Sequence, residues 1–243
     1  MQGIEEAEST VVEGFVGYSF GSTRLAYMGE RQLDWAVLVR PFPVGASGIE
    51  LINSRTEQVS NIFEGSAPVS ESPFEPEDAS GSIPVNDFDY ISAEIALGYL
   101  SSEEIDQYAP VLSGRADDNL ARRLSDSFWL RYGENSISPA YLSYISEVCE
   151  VAQGWDTGGS SLSGHEAIIT RIHEPCVEIG REYNEYRIEA NDICIVVSEN
   201  DPLASKDLVK SSLSYIPDDK WMESNEVSHR SSDGTLECLD RVL

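Results

Sequence analysis

The sequence predicts an α+β fold: an antiparallel β-rich N-terminal portion, a helical middle layer, and a C-terminal helix–hairpin–helix unit. Three observations carry this. β-Branched and aromatic runs separated by glycine-containing turns fill the first 61 residues. Capped, amphipathic stretches follow between residues 87 and 154, and alternating segments flanked by helical ones occupy 155–243. Hydrophobic residues make up 41% of the 243, enough to bury a core despite a formal charge of -27.

In chain order, the runs TVVEGFVGYSF, TRLAYM, QLDWAVLVRPF and GIELI read as strands of a meander, with breaks at Gly21-Ser22, Gly29-Glu30 and Gly45 to Gly48. Residues 62–86 form an acidic Pro/Ser/Glu loop or arm, within a stretch from Arg55 to Arg115 that contains no other basic residue. A first helix is expected over ISAEIALGYL. Ser101 with Glu104 makes a capping box for a second helix that stops at Gly114. A third runs from about Ala116 to Tyr132, and Ser138-Pro139 starts a fourth carrying Leu142, Ile145, Cys149 and Ala152 on one stripe. Ser163 and Glu166 form a second capping box for a helix stopped by Pro175. The segments CVEIGRE, EYRIEA and DICIVVS then read as antiparallel strands. Asp201-Pro202 opens another helix, and TLECLDRVL places Leu236, Leu239 and Leu243 on one face of a last one, either docked or partner-binding.

Charge excludes some functions. With 43 Asp plus Glu against 16 Lys plus Arg, of which only Lys206, Lys210 and Lys220 are lysines, the chain repels phosphate backbones and anionic lipid. Direct nucleic-acid binding and a membrane span are not expected, and no signal peptide is read at MQGIEEAEST. The composition resembles that of haloarchaeal proteins or of their viruses, since molar salt shortens the Debye length to about 3 Å and screens self-repulsion. The expected location is the cytoplasm, or the virion for a viral product, and the four cysteines, lacking CxxC spacing, are expected to be reduced thiols.

The most specific local pattern is YSFGSTRLAYMGERQLDWAVLV. Phe20-Gly21-Ser22 is followed after eleven residues by Asp34-Trp35-Ala36-Val37. This resembles the minimal nucleotidyltransferase fingerprint, in which a Gly-Ser turn cradles phosphate and two alternating strand carboxylates hold magnesium. The resemblance implies Gly21, Ser22, Asp34 and a further acid, Asp89 or Asp87, as site residues, and it departs at Ala36, where the family has its second carboxylate. No Gly-x-Ser-x-Gly elbow is read in the chain, and neither Cys nor His lies in a stretch resembling a hydrolase signature, so nucleophilic catalysis is not expected. The Gly154-Trp155-Asp156 turn resembles one in uncharacterised microbial proteins and is read as a corner in which Trp155 plugs a helix junction. His165, His173, Cys149 and Cys176 lack the paired short spacings of a zinc site, so no metal and no cofactor are expected.

The functional expectation is a non-enzymatic assembly or interaction protein that engages other protein chains, as an oligomer or in a larger assembly, through its acidic arm and terminal segments. A nucleotidyltransferase-like domain and an acidic, antitoxin-like regulatory partner are the alternatives.

Overall fold

A computed structural model of the chain describes residues 11–26, 33–62, 85–129, 139–152, 154–155, 164–179, 187–199, 201 and 203–243. Within them lie four strands, β1 (Gly14–Tyr18), β2 (Trp35–Val39), β3 (Asp192–Ser198) and β4 (Trp221–Ser224), in one sheet of order β1-β2-β3-β4. Every neighbouring pair is parallel, with Gly14 level with Trp35, Trp35 with Asp192, and Ile195 with Trp221.

The parallel arrangement corrects the antiparallel expectation, and its cause is visible in the burial. All of Ala36 to Val39, and all of Ile193 to Ser198, are buried on both faces of the sheet. Continuous apolar runs of this kind mark strands covered on both sides, which hairpins with one wet face do not need. Ala36, Leu38, Ile193, Ile195 and Val197 point to one face, where Leu25, Val209 and Leu213 cover them. Val37, Val39, Cys194 and Val196 point to the other, against Met222 and Cys238.

Parallel neighbours require crossovers, and these supply the helices. After β1 the chain makes a short 3-10 turn (Ser19–Ser22) and α1 (Thr23–Ala26), so TRLAYM opens in a helix and not a strand. The connection from β2 to β3 runs from residue 40 to 191 and carries α2 (Gly48–Ile62), α3 (Asp87–Leu97), α4 (Ser102–Ser113), α5 (Asp118–Trp129), α6 (Pro139–Val151), α7 (Gly164–His173) and α8 (Pro175–Ile179). GIELI is the first turn of α2, held by Ser47 and Glu50 in mutual hydrogen bonds, and CVEI lies in α8. α9 (Lys206–Ser212) precedes β4, and α10 (Thr235–Val242) follows it. A separate core, containing Ile52, Ile91, Leu97, Leu112, Leu120, Trp129 and Ile169, holds the middle helices together.

The helical expectations fared better. Ser101 and Glu104 form the capping box of α4, with Ser101 N–H donating to Glu104 Oε2 at 3.0 Å, and Gly114 follows its last turn. Asn86 and Asp89 make an equivalent, unforeseen box for α3. Ser138, Ser163 and residues 63–84 of the acidic arm lie outside the described residues. On α10 the inward face is Cys238, Leu239 and Val242, whereas Leu236, and Leu243 just past the helix, are exposed. Among the described residues, no helix is long and apolar enough to cross a membrane.

The cysteines are not free thiols. Cys149 of α6 is bridged to Cys176 of α8, and Cys194 of β3 to Cys238 of α10. Closing 27- and 44-residue loops stabilises the fold by about 3.5 and about 4 kcal/mol on the chain-entropy account. Wide spacing in the sequence concealed both pairs, because partners on different elements leave no local pattern.

Candidate functional site

The carboxyl ends of β1, β3 and β4 converge on one polar cluster. At the end of β1, Ser19 takes φ +47°, a left-handed conformation that costs a non-glycine residue on the order of 1–3 kcal/mol. The turn is tight: a Cβ on Gly17 would stand 2.8 Å from the Ser22 Cα. Ser22 locks it from below, its hydroxyl donating to the Ser19 carbonyl and accepting from the Phe42 amide at 3.3 Å. Above, the Tyr18 hydroxyl donates to the Ser231 carbonyl at 3.2 Å and meets Thr235 Oγ1 at the same distance. Ser19 itself stays half-buried.

The Ser19 hydroxyl meets His229 Nε2 at 2.7 Å, and His229 Nδ1 meets Asp201 Oδ2 at 2.8 Å. His229 follows β4, and its backbone N–H donates to the Gly98 carbonyl at 2.7 Å, while Tyr99 packs edge-on against its ring at 5.4 Å. Asp201 follows β3 and is fully buried. Its Oδ1 accepts the Leu203 and Ala204 amides at 2.9 and 3.0 Å, and its Oδ2 accepts Arg40 Nη1 at 3.2 Å. Burial pushes this carboxyl up, but the His229 hydrogen bond and charge, the Leu203 amide and Arg40 together outweigh it and hold it below the ordinary 3.8. An acid that stays ionised, an imidazole oriented by it and a hydroxyl within reach of the imidazole form a proton relay.

Arg40 completes the support. It sits directly after β2 with φ +49°, and its side chain is wholly buried. Nη2 donates to the Glu226 carbonyl at 2.8 Å and to Ser224 Oγ at 3.3 Å, so one guanidinium joins the segments after β2, β3 and β4.

A second polar chain lies beside the first. Arg55 Nη1 donates to the Tyr144 hydroxyl, which meets His173 Nε2 at 2.7 Å, and His173 Nδ1 donates to the Ile169 carbonyl at 2.7 Å. Burial above all, then the Arg55 charge, drives His173 down from 6.5 to about 3, against the opposing pull of the Ile169 bond. An unfolded histidine takes its proton near pH 6.5 while the folded one stays neutral, so the unfolded state binds more protons below that pH. Stability from this site is complete above pH 6.5 and is lost in acid at about 1.4 kcal/mol per pH unit. Urea midpoints should therefore fall between pH 6.5 and 4.5, above the range where Asp201 contributes, and His173→Asn should flatten that slope.

The predicted site residues do not come together. Gly21 and Ser22 do occupy a strand-to-helix turn, at the carboxyl end of β1. Asp34 precedes β2 at the opposite end, its N–H bonded to the Glu13 carbonyl and its side chain accepting from Asn191. A strand's length, about 15–20 Å at 3.3 Å per residue, separates them. Asp89 is buried in the helical layer, capping α3 and bonded to Ser125 and Arg122. Trp155 does plug a junction: it stacks on His173 at 5.3 Å and blocks the space beside Gly48. Of the zinc candidates, Cys149 and Cys176 are bridged and the His165 side chain lies outside the described residues.

Ser19, Asp201 and His229 were missed, yet one signal was present. Gly17-Tyr18-Ser19-Phe20-Gly21 is a Gly-x-Ser-x-Gly pattern, hidden by reading the same letters two residues later as Phe-Gly-Ser. The absence of an elbow is therefore corrected. Asp201 and His229 carried no local signature, since 43 acids make any one anonymous. No protein-family model matches the chain, and no curated protein proves similar to it.

Proposed function

We propose that the chain is a serine hydrolase acting on an ester or thioester by acyl transfer. The observation that carries this is the unbroken path from a strained, half-buried Ser19 hydroxyl through His229 to a buried, ionised Asp201. The serine sits on a sharp turn between a parallel strand and a helix, and the three residues follow in the order Ser, Asp, His. α/β-Hydrolases combine the same turn and the same order. His229 Nε2 takes the Ser19 proton as Oγ attacks the carbonyl, then returns it to the leaving group. Asp201 holds the imidazole and balances its transient charge. The Phe20 amide, next after the nucleophile in the first helical turn, is placed by sequence to donate to the oxyanion. Water then repeats the cycle on the acyl-enzyme.

The test is covalent. A fluorophosphonate probe is expected to add one phosphonyl group, mapped by peptide mass spectrometry to Ser19. Absence of labelling in the folded, oxidised protein, or labelling at another residue, overturns the proposal.

Leu236 on α10 and Leu243 directly after it, 78% and 81% exposed, favour a second reading compatible with the first: this end of the chain engages another protein chain. The acidic surface suits concentrated salt, and the two disulfides favour an oxidising compartment over a reducing cytoplasm.

A further inference from the structure

A cavity of about 430 Å³ lies among α3, α5 and α6, lined by Ala96, Leu100, Leu124 and Phe128 with Tyr99, Trp129 and Tyr144. It is bracketed by neighbours of the relay. Tyr99 meets the His229 ring, Arg230 follows His229 and also lines the cavity, and Tyr144 meets the ring of Phe20, the residue after the nucleophile, at 6.2 Å. The aromatic polar atoms are mostly spoken for: Trp129 Nε1 donates to Ser92 Oγ at 2.9 Å, and the Tyr144 hydroxyl is held by Arg55 and His173. What remains for an incoming molecule is a largely apolar wall with the side chain of Ser127 and one charged lining residue, the exposed Arg230.

In a chain with 43 acidic residues against 16 basic ones, an arginine without a carboxylate partner runs against abundance. Among the described residues Arg230 makes no ion pair. Glu104, which feels its charge, is bonded to Ser101, and Glu226 accepts from Ser102. Those two carboxylates line an outer cavity that shares Tyr99 and Arg230, and they repel a second anion there. A ligand's negative group therefore meets Arg230 from the inner, apolar side. Arg55, nine-tenths buried and ion-paired with no described carboxylate, extends its charge to both Tyr99 and Tyr144, opposing at Tyr99 the charge of Asp201.

We infer that the substrate of the proposed hydrolase is an amphipathic anion, an apolar or aromatic body in this cavity with a carboxylate-like group bound by Arg230. The inference rests on the Ser19 reading for turnover but not for binding, and the two are separated by using the Ser19→Ala protein. In about 50 mM salt, 4-phenylbutyrate is expected to bind it at least tenfold more tightly than neutral 4-phenylbutyramide, read by calorimetry and by Trp129 fluorescence. Arg230→Gln should bring the two affinities together by weakening only the anion, and Arg230→Lys should restore part of the difference. Equal or tighter binding of the amide, or equal weakening of both by Arg230→Gln, overturns the inference even where fluorophosphonate labels Ser19. With the wild-type protein, mono-p-nitrophenyl glutarate places the charge on the acyl part and p-carboxyphenyl butyrate on the leaving group. A tenfold gain in kcat/KM over p-nitrophenyl butyrate for either one supports the inference and names the side, and the gain should be lost through KM in Arg230→Gln. A gain for neither overturns it.

Discussion

Ser19→Ala is expected to lower kcat on p-nitrophenyl butyrate by on the order of 10⁵–10⁶, with the urea midpoint unchanged within error. The hydroxyl is the only atom removed, and the turn is fastened by other groups: Ser22 on the carbonyl below and Tyr18 on the loop above. Asp201→Asn should cost about 10⁴ in kcat, because the amide no longer fixes the imidazole tautomer or balances its charge. Ser19→Gly carries an independent signature. Glycine adopts φ +47° freely, so this variant should be inactive yet about 1 kcal/mol more stable than Ser19→Ala. A serine kept for turn structure alone would leave hydrolysis intact in all three variants.

Arg40→Met is expected to destabilise the fold by about 3–5 kcal/mol, measured by urea unfolding at neutral pH. Removing the guanidinium strips one buried partner from Asp201 and leaves the buried Ser224 hydroxyl and the part-buried Glu226 carbonyl without the donor they share. The residue also occupies φ +49° while its own N–H extends the ladder to the Val196 carbonyl at 2.8 Å. Because Arg40 and Asp201 belong to one network, the Arg40→Met/Asp201→Asn double variant should lose less than the sum of the single losses. An additive result, or a loss under 1 kcal/mol, would show that the pair contributes little to holding the three strand ends together.

Helices were legible where local chemistry dictates them. Ser101 and Glu104 declare a capping box by spacing alone, and the four-residue rhythm of Leu120, Leu124 and Phe128 declares α5. Sheet topology was not legible, because pairing direction depends on where the crossovers run. Glycines at 17 and 21 read equally as hairpin punctuation and as an elbow, and only the buried runs Ala36 to Val39 and Ile193 to Val197, apolar at every position, argued for a sheet covered on both faces. β4, four residues with Glu223 exposed, carried too little alternation to be read. The site was half legible. Ser19 lies in a pattern of five residues, whereas Asp201 and His229 become its partners only through parallel register, some 180 and 210 positions away.

The bridge between Cys194 and Cys238 has a consequence for how the relay comes apart. It closes a covalent ring whose circumference includes both Asp201 and His229 but not Ser19. Thermal breathing of the oxidised protein therefore parts the nucleophile from an acid–base couple that remains tethered, and re-docking one strand end restores the machinery. Cleavage of that one bond turns a two-body reunion into a three-body search.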